Sequence, residues 1–331
     1  MISGARVILG TWPTPVEPAP RLAVALGLDP DDLWVKRDDL TGLGGGGNKV
    51  RKLEWTVGAA LAEGADTLVT TGAPQSNHAR LTAAAAARMG MRAVLVFPGS
   101  PGASRSGNLA LDGLFGARIV WAGSVDAYGL AATAEQVALR LEADDRRVAV
   151  IPFGGSSGIA ALGYVKCGRE LRGQVPQLHT VVVAVGSGGT MAGLVAALGA
   201  DHVLGVDTGA IPDPAATVAS FTNDVDLGEV TPAELTVRPD QVGEGYGDYP
   251  AEADAALRLA ARTEGLVLDP VYTARAMAGL AAAVRDGQLA PGQRTVFLHT
   301  GGVPGLFGHP AAIEQAQRGI ENEVTIDTGN E

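Results

Sequence analysis

Apolar positions along this chain come in two rhythms, one of mixed segments about a dozen residues long and one of short continuous runs. From Arg51 to about Ala62, Leu53, Trp55, Val57 and Leu61 stand among polar and small residues, which predicts a helix closed by Gly64. DTLVT then predicts a strand running into the turn TGAPQSNH. HARLTAAAAARMG predicts a helix whose alanines favour both helix and close packing. RAVLVF and ARIVWAG follow as strands, about Val125 to Glu142 as a helix, RVAVIPFGG as a strand entering a glycine turn, and IAALGYVKCGRELRG as a helix. TVVVAV at 180–185 is continuous and β-branched, so it is expected to be an inner parallel strand covered on both faces. GSGGTMAGLVAALGA reads as a glycine turn into a helix and HVLGVD as a strand. Helical patterns return near Ala251 and across ARAMAGLAAAV, before a last strand, TVFLHT.

This repeated order of strand, turn and helix predicts an α/β fold of open parallel sheets. VFPGSPGASRSGN reads as a surface loop, and residues 211–250, with scattered prolines and polar residues, as a stretch part of which covers a site. The 331 residues are 46% hydrophobic, enough for a large core and more than one lobe. Lys and Arg number 25 against 36 Asp and Glu, a formal charge of −11 that repels nucleic acid and anionic membranes on average. Small anions remain possible ligands, because backbone N–H groups supply a local field without side-chain charge. Cys167 is the single cysteine, which excludes an intrachain disulfide and a cysteine-built metal site. MISGARVILGTW lacks the pattern of a signal peptide and no apolar run is long enough to span a bilayer, so a cytoplasmic location is expected.

Chemistry concentrates at a few turns. Four consecutive glycines, Gly44 to Gly47, demand tight turns or unshielded N–H groups just before Asn48 and Lys49. A lysine there is a candidate to attack an aldehyde, its amine losing a proton readily in a desolvated pocket; the alternative is a solvated lysine at a helix start. Gly186, Ser187, Gly188, Gly189 and Thr190 follow the strongest strand and open a helix, a phosphate-binding geometry or an ordinary turn. Ser76 and Asn77 either cap a helix or face a ligand. His78 reads as structural at least as readily as catalytic, and with five histidines and no metal-ligand spacing no metal site is expected. Tyr246 and Tyr272 are core or lid contacts, or phenols that exchange protons with a substrate. Thr300 and Gly301 end the last strand, where open sheets bind ligands.

Together and in this order, GGGNKVRKLE, GAPQSNHAR, GNLALDGLFGA, GGSSGIAALGYV, GSGGTMAGL, DPVYTARAMAGL and LHTGGVPGLFG resemble the pyridoxal phosphate enzymes comprising D-cysteine desulfhydrase and 1-aminocyclopropane-1-carboxylate deaminase, over about Leu22 to Gly308. The resemblance implies a tryptophan-synthase-β-like (fold type II) architecture of two open parallel-sheet domains, usually homodimeric. Residues 1–54 and 165–331 would form the larger, cofactor-binding domain and 55–164 the smaller inserted one. Pyridoxal 5'-phosphate would lie between them, carried by Lys49. Asn77 matches the asparagine beside the ring oxygen, and Ser76 the serine that contacts the substrate carboxylate or assists proton movement. Gly186 to Thr190 match the phosphate cradle, Tyr246 and Tyr272 the two active-site tyrosines, and Thr300 the residue beside the pyridine nitrogen.

The implied reaction is β-elimination from a small amino acid, D-cysteine first, to pyruvate, hydrogen sulfide and ammonia, with Lys49 or a tyrosine removing the Cα proton. The deaminase branch matches less well, since it has glutamate after the second tyrosine and leucine before the final glycine pair, where this chain has Thr273 and Thr300. Two departures from the desulfhydrases stand out: an additional residue in Tyr246-Gly247-Asp248-Tyr249-Pro250, and Ala274-Arg275 in place of glycine and lysine. L-cysteate sulfo-lyase activity is a further alternative, and a noncatalytic cofactor-binding sensor is the alternative outside the enzymes.

Overall fold

The computed structural model describes residues 5–102, 105–225 and 227–320; residues 1–4 of the N-terminal stretch, Ala103 and Ser104 of the expected surface loop, and Asp226 lie outside them. Its strands are β1 (Val16–Pro18), β2 (Leu33–Arg37), β3 (Thr67–Thr71), β4 (Arg92–Phe97), β5 (Arg118–Trp121), β6 (Val148–Ile151), β7 (Thr180–Val185), β8 (Val203–Asp207), β9 (Thr236–Arg238) and β10 (Thr295–His299). The helices are α1 (Pro20–Leu26), α2 (Lys49–Ala62), α3 (Asn77–Arg88), α4 (Asn108–Leu114), α5 (Ala127–Ala143), α6 (Gly158–Gln174), α7 (Gly189–Leu198), α8 (Pro214–Asn223), α9 (Ala251–Glu264), α10 (Thr273–Arg285), α11 (Val303–Phe307) and α12 (Pro310–Gln317).

The expected α/β architecture of two open sheets is present. One sheet has the order β1-β2-β10-β7-β8-β9, the other β5-β4-β3-β6. All pairings are parallel except that of β1 with β2, an antiparallel edge absent from the sequence expectation. The four-stranded sheet draws on residues 67–151 and the six-stranded sheet on both flanking stretches.

In β7 every residue is buried, and the pleat sends alternate side chains to opposite faces. Val181, Val183 and Val185 pack with Met191 and Leu194 of α7 and Tyr164 of α6. Val182 and Ala184 pack with Met277 and Leu280 of α10 and Ala260 of α9. Each fully buried valine contributes about 1.5–3 kcal/mol of transfer free energy, which is why this segment is continuous in valine rather than alternating. In the smaller sheet Leu68, Leu95 and Phe97 face α2 and α3, while Val69, Val94 and Val96 face Ala134 of α5.

Helix starts are set by short polar side chains. Ser76 accepts from Ala79 N in α3, Asp126 from Gly129 N in α5, Ser157 from Ala160 N in α6 and Asp213 from Ala216 N in α8. Helix α2 begins at Lys49, earlier than the expected Arg51, because the glycine run delivers the chain in helical conformation at Asn48. Gly46 is required there: its φ is +75° and a Cβ would lie 1.9 Å from the Asp39 carbonyl oxygen. The expected covering stretch contains α8 and β9 before the irregular residues 239–250. No helix among the described residues is long and apolar enough to cross a membrane.

Candidate active site

Parallel strands end on one side, and the turns that follow them converge. The turns after β3, β6, β7, β8 and β10, together with the start of α2, enclose a cavity of about 270 Å³. Lys49 lines it from α2, Ser76 and Asn77 from the turn after β3, and Gly186, Ser187, Gly188 and Thr190 from the turn after β7. Thr300 lines it from the end of β10, with Tyr246 and Tyr272 opposite. The structure thus brings together the separate turns singled out in the sequence. Gly189 stands behind the wall, donating its N–H to Ser156 Oγ at 3.3 Å.

Lys49 Nζ donates to the Gly154 carbonyl at 3.1 Å and to Ser187 Oγ at 3.4 Å. Burial lowers its pKa to about 8, since a desolvated ammonium is disfavoured, with a contact to Lys52 opposing the shift. Gly154 is held at φ +63° directly under this amine, and a Cβ there would come 2.1 Å from Ser187 Oγ. Lys52, one helical turn beyond Lys49, is buried to 1% exposure and donates to Ser156 Oγ at 2.8 Å. Desolvation, then the charge on Lys49, holds its pKa well below the ordinary lysine range. Neither amine has a carboxylate partner within ion-pair distance among the described residues.

Lys52 was not singled out from the sequence. The signal was present, because a helix starting at Lys49 places residues three apart on one face.

Residues 186–190 form the expected turn from β7 into α7. Gly188 has no side chain with which to cap α7; the first amide, Gly189 N–H, is taken by Ser156 Oγ and the Ser187 carbonyl, and the amides that follow it in the first turn have no carbonyl of their own helix to bond. Ser156 Oγ and Ser187 Oγ lie 2.8 Å apart and tie Lys52 to this turn. Asn48 Nδ2 donates to Thr190 Oγ1 at 3.0 Å and Asn48 N to the Thr300 carbonyl at 3.0 Å, which locks the α2 start to both strand ends.

Ser76 caps α3 and also lines the cavity. Asn108 Nδ2 donates to Asn77 Oδ1 at 2.9 Å, which leaves the Asn77 amide nitrogen free to donate. His78 is 2% exposed with Nε2 2.8 Å from Thr70 Oγ1, and burial followed by the two lysine charges keeps its imidazole neutral.

The phenols of Tyr246 and Tyr272 are in hydrogen-bond contact, with ring centroids 6.0 Å apart in an edge-to-face arrangement. Burial raises the pKa of each, so both carry their protons at neutral pH. Tyr272 also covers Gly186, whose Cβ would lie 3.0 Å from Tyr272 Cε1. A second chamber of about 150 Å³ shares Ala73, Asn77, Tyr246 and Tyr272 with the first, so the tyrosine pair is a common wall. Among the described residues no group of three or more His, Cys, Asp or Glu side chains is placed to hold a metal ion.

A half-buried amine and a buried one without an acidic partner, facing the first turn of α7, fit a ligand that combines an aldehyde with a phosphate. Lys49 can attack the aldehyde once deprotonated; Lys52, Ser187, Thr190 and the α7 amides can hold the phosphate. Aldehyde capture by the cofactor-free protein is therefore expected to accelerate about tenfold per pH unit on approach to pH 8 and to level above it. Stopped-flow absorbance against pH measures this, and a flat profile between pH 6 and 8 would remove Lys49 from the role.

Residues 7–301 match the family described as pyridoxal-phosphate dependent enzyme. A Pyrococcus horikoshii protein provisionally named as a 1-aminocyclopropane-1-carboxylate deaminase is 38% identical over 311 residues, which are 91% of this chain and 93% of that protein. The D-cysteine desulfhydrase of Klebsiella pneumoniae is 40% identical over 318 residues, 90% of this chain and 94% of its own. A solved structure described as that of an ACC deaminase homologue matches with a TM-score of 0.86 and 35% identity, over 95% of this chain and 96% of that one.

Proposed function

The chain belongs to the pyridoxal-phosphate dependent enzymes, and from that premise we propose that it catalyses β-elimination from a small amino acid, with D-cysteine and water giving pyruvate, hydrogen sulfide and ammonia. Relatives of comparable identity carry both the deaminase and the desulfhydrase name, so the choice between them rests on the site. The observation that carries it is a cavity wall with two lysines, two phenols and, among the described residues, no carboxylate. Thr273, where the deaminase branch has glutamate, is buried and bonded to Asp269 Oδ1 at 2.7 Å, and Thr300 presents a hydroxyl at the end of β10. Hydroxyls do not hold a pyridine nitrogen protonated as a carboxylate does, which suits expulsion of a good β leaving group better than deep stabilisation of a carbanion.

Bound here, pyridoxal 5'-phosphate supplies a conjugated ring that withdraws electrons from the bonds at Cα. Lys49 Nζ, displaced by the substrate amine, accepts the Cα proton. Ser76 and Asn77 hold the substrate so that the Cα–H bond points at that base. Tyr246 or Tyr272, protonated because buried, donates to the departing sulfur. Among the described residues the cationic side chains in the wall are Lys49 and Lys52, the first the proposed base and the second a proposed phosphate contact, so none of them is left to meet the sulfonate of L-cysteate. The homodimer implied by the resemblance and the cytoplasmic location expected from the sequence belong to the same proposal.

The test is a substrate panel on the cofactor-reconstituted protein: D-cysteine, L-cysteine, L-cysteate, β-chloro-D-alanine and 1-aminocyclopropane-1-carboxylate, with sulfide, sulfite and keto acid assayed. Sulfide and pyruvate from D-cysteine, with the cyclopropane substrate inert, is the expected result. Preferential formation of 2-oxobutanoate or of sulfite would replace the reading with the deaminase or the sulfo-lyase. Cofactor absorbance without any product would replace it with a sensor.

A further inference from the structure

Arg275 is fully buried, yet no carboxylate lies within ion-pair distance of it among the described residues. Its donors go to backbone carbonyls. Nη1 donates to Thr208 O at 2.6 Å, and Nη2 to Gly245 O at 2.9 Å, Tyr246 O at 3.3 Å and Asp248 O at 2.6 Å, while Nε has no partner. Burying a guanidinium without a counter-charge costs several kcal/mol, and in return this one ties down residues 245–248, which belong to no helix or strand. Arg275 stands in the first turn of α10, the helix that opens directly after Tyr272. One rigid helical turn therefore fixes Tyr272 directly and the backbone of Tyr246 through the guanidinium.

We infer that Arg275 is a positioning residue for Tyr246, holding its phenol against Tyr272 and so setting the wall between the cavity that contains Lys49 and the smaller chamber bounded by Gln75, Asp269 and His309. The inference rests on the proposed role of Tyr246 toward the substrate. Lysine does not replace arginine here, because a single ammonium cannot reach Thr208 O and Asp248 O together with the planar fork's geometry. Loss of the clamp lets Tyr246 drift and joins the two chambers, so substrate orientation suffers while the cofactor contacts of Lys49 and the α7 start stay intact.

The test is a double-mutant cycle on the holoenzyme with Arg275→Lys, Tyr246→Phe and their combination, using whichever panel amino acid is turned over best. Arg275→Lys is expected to lower kcat/KM about 10²-fold, since a displacement of about 1 Å at a reacting group carries that penalty. The loss is expected mostly in kcat, with cofactor absorbance unchanged. In the Tyr246→Phe background the same change should cost less than about 3-fold, because the two act as one unit. Equal losses in both backgrounds would make Arg275 merely structural and overturn the inference.

Chymotrypsin digestion of the cofactor-free proteins, which cuts after exposed tyrosines such as Tyr246, gives an independent readout, decisive even if no panel substrate reacts. Arg275→Lys should open a cleavage within 243–250 that the native protein resists, and an unchanged digestion pattern would also overturn the clamp. Arg275→Met repeats both measurements without charge, and Arg275→Lys keeps the test alive if that variant fails to fold.

Discussion

Lys49→Ala is expected to reduce turnover by at least about 10³-fold and to remove the visible absorbance of the held cofactor, because it deletes both the attachment point and the base. Lys52 is not expected to substitute, although it lies one turn away. Its amine is bound to Ser156 Oγ at 2.8 Å and shares the Gly154 carbonyl at 3.4 Å, while Lys49 is the one that also reaches Ser187 Oγ, at 3.4 Å. Lys49→Arg should fail equally, since a guanidinium keeps the charge and the length but is not a nucleophile at neutral pH. The cofactor-free variant should also be more stable than the native protein at neutral pH. The folded amine titrates near 8 and the unfolded one near 10.5, so the native chain binds fewer protons than the unfolded chain across that window. Native stability therefore rises with pH between about 8 and 10.5, and the advantage of Lys49→Ala is full below pH 8 and fades above it. Spectra, product assays and melting curves against pH check these outcomes, and an unimpaired desulfhydrase rate in Lys49→Ala would refute the assignment.

The second large effect is on stability. Asp38→Ala is expected to cost about 3–5 kcal/mol and to lower the melting temperature by roughly 5–15 °C, because it leaves a buried guanidinium short of its counter-charge. Asp38 is fully buried and accepts from Arg51 Nε at 2.8 Å, Arg51 Nη2 at 2.9 Å, Thr14 Oγ1 at 2.7 Å and the Tyr164 hydroxyl at 2.5 Å. Arg51 also meets Glu170 through Nη1 at 2.9 Å and Nη2 at 2.8 Å, and lies 4.1 Å from the Trp12 ring centroid. Burial by itself would raise the Asp38 pKa, but Arg51 and Tyr164 overcome it and hold the carboxyl below 3.8. Its contribution is thus present above pH 3.8 and lost as the pH falls through the lower folded value. The native melting temperature should drop more steeply in acid than that of Asp38→Ala, and parallel acid profiles would contradict the account. Arg51 stands in the same first turn of α2 as Lys49, so cofactor affinity should fall with stability in this variant.

How much was legible depended on whether the signal was local. The buried strand at 180–185, the alanine-rich helix after Ser76 and the glycine turn at 186 were read from the sequence because continuous β-branching, helix propensity and positive-φ turns leave their mark within a few residues. Strand β2 carries no comparable local mark, since Lys36 and Arg37 interrupt its apolar run. Lys36 is in fact fully buried, its ammonium bonded to Glu170 at 2.8 Å and to Gln174 at 2.7 Å, partners far along the chain. Asp248 and Arg275 were noted as separate departures from the resembling pattern, and a hydrogen bond of 2.6 Å between them shows one physical feature.

By itself, then, the sequence determined the succession of strands and helices, the turns able to grip an anion, and a lysine placed to meet an aldehyde, since backbone conformation and residue chemistry are local properties. Only the tertiary structure decided which charges are buried and against what. It lowered the Lys49 pKa to about 8, brought Lys52 into the same wall and set Arg275 on the carbonyls beside Tyr246. Desolvation and hydrogen-bond distance depend on how remote segments pack, and no window of residues contains that information.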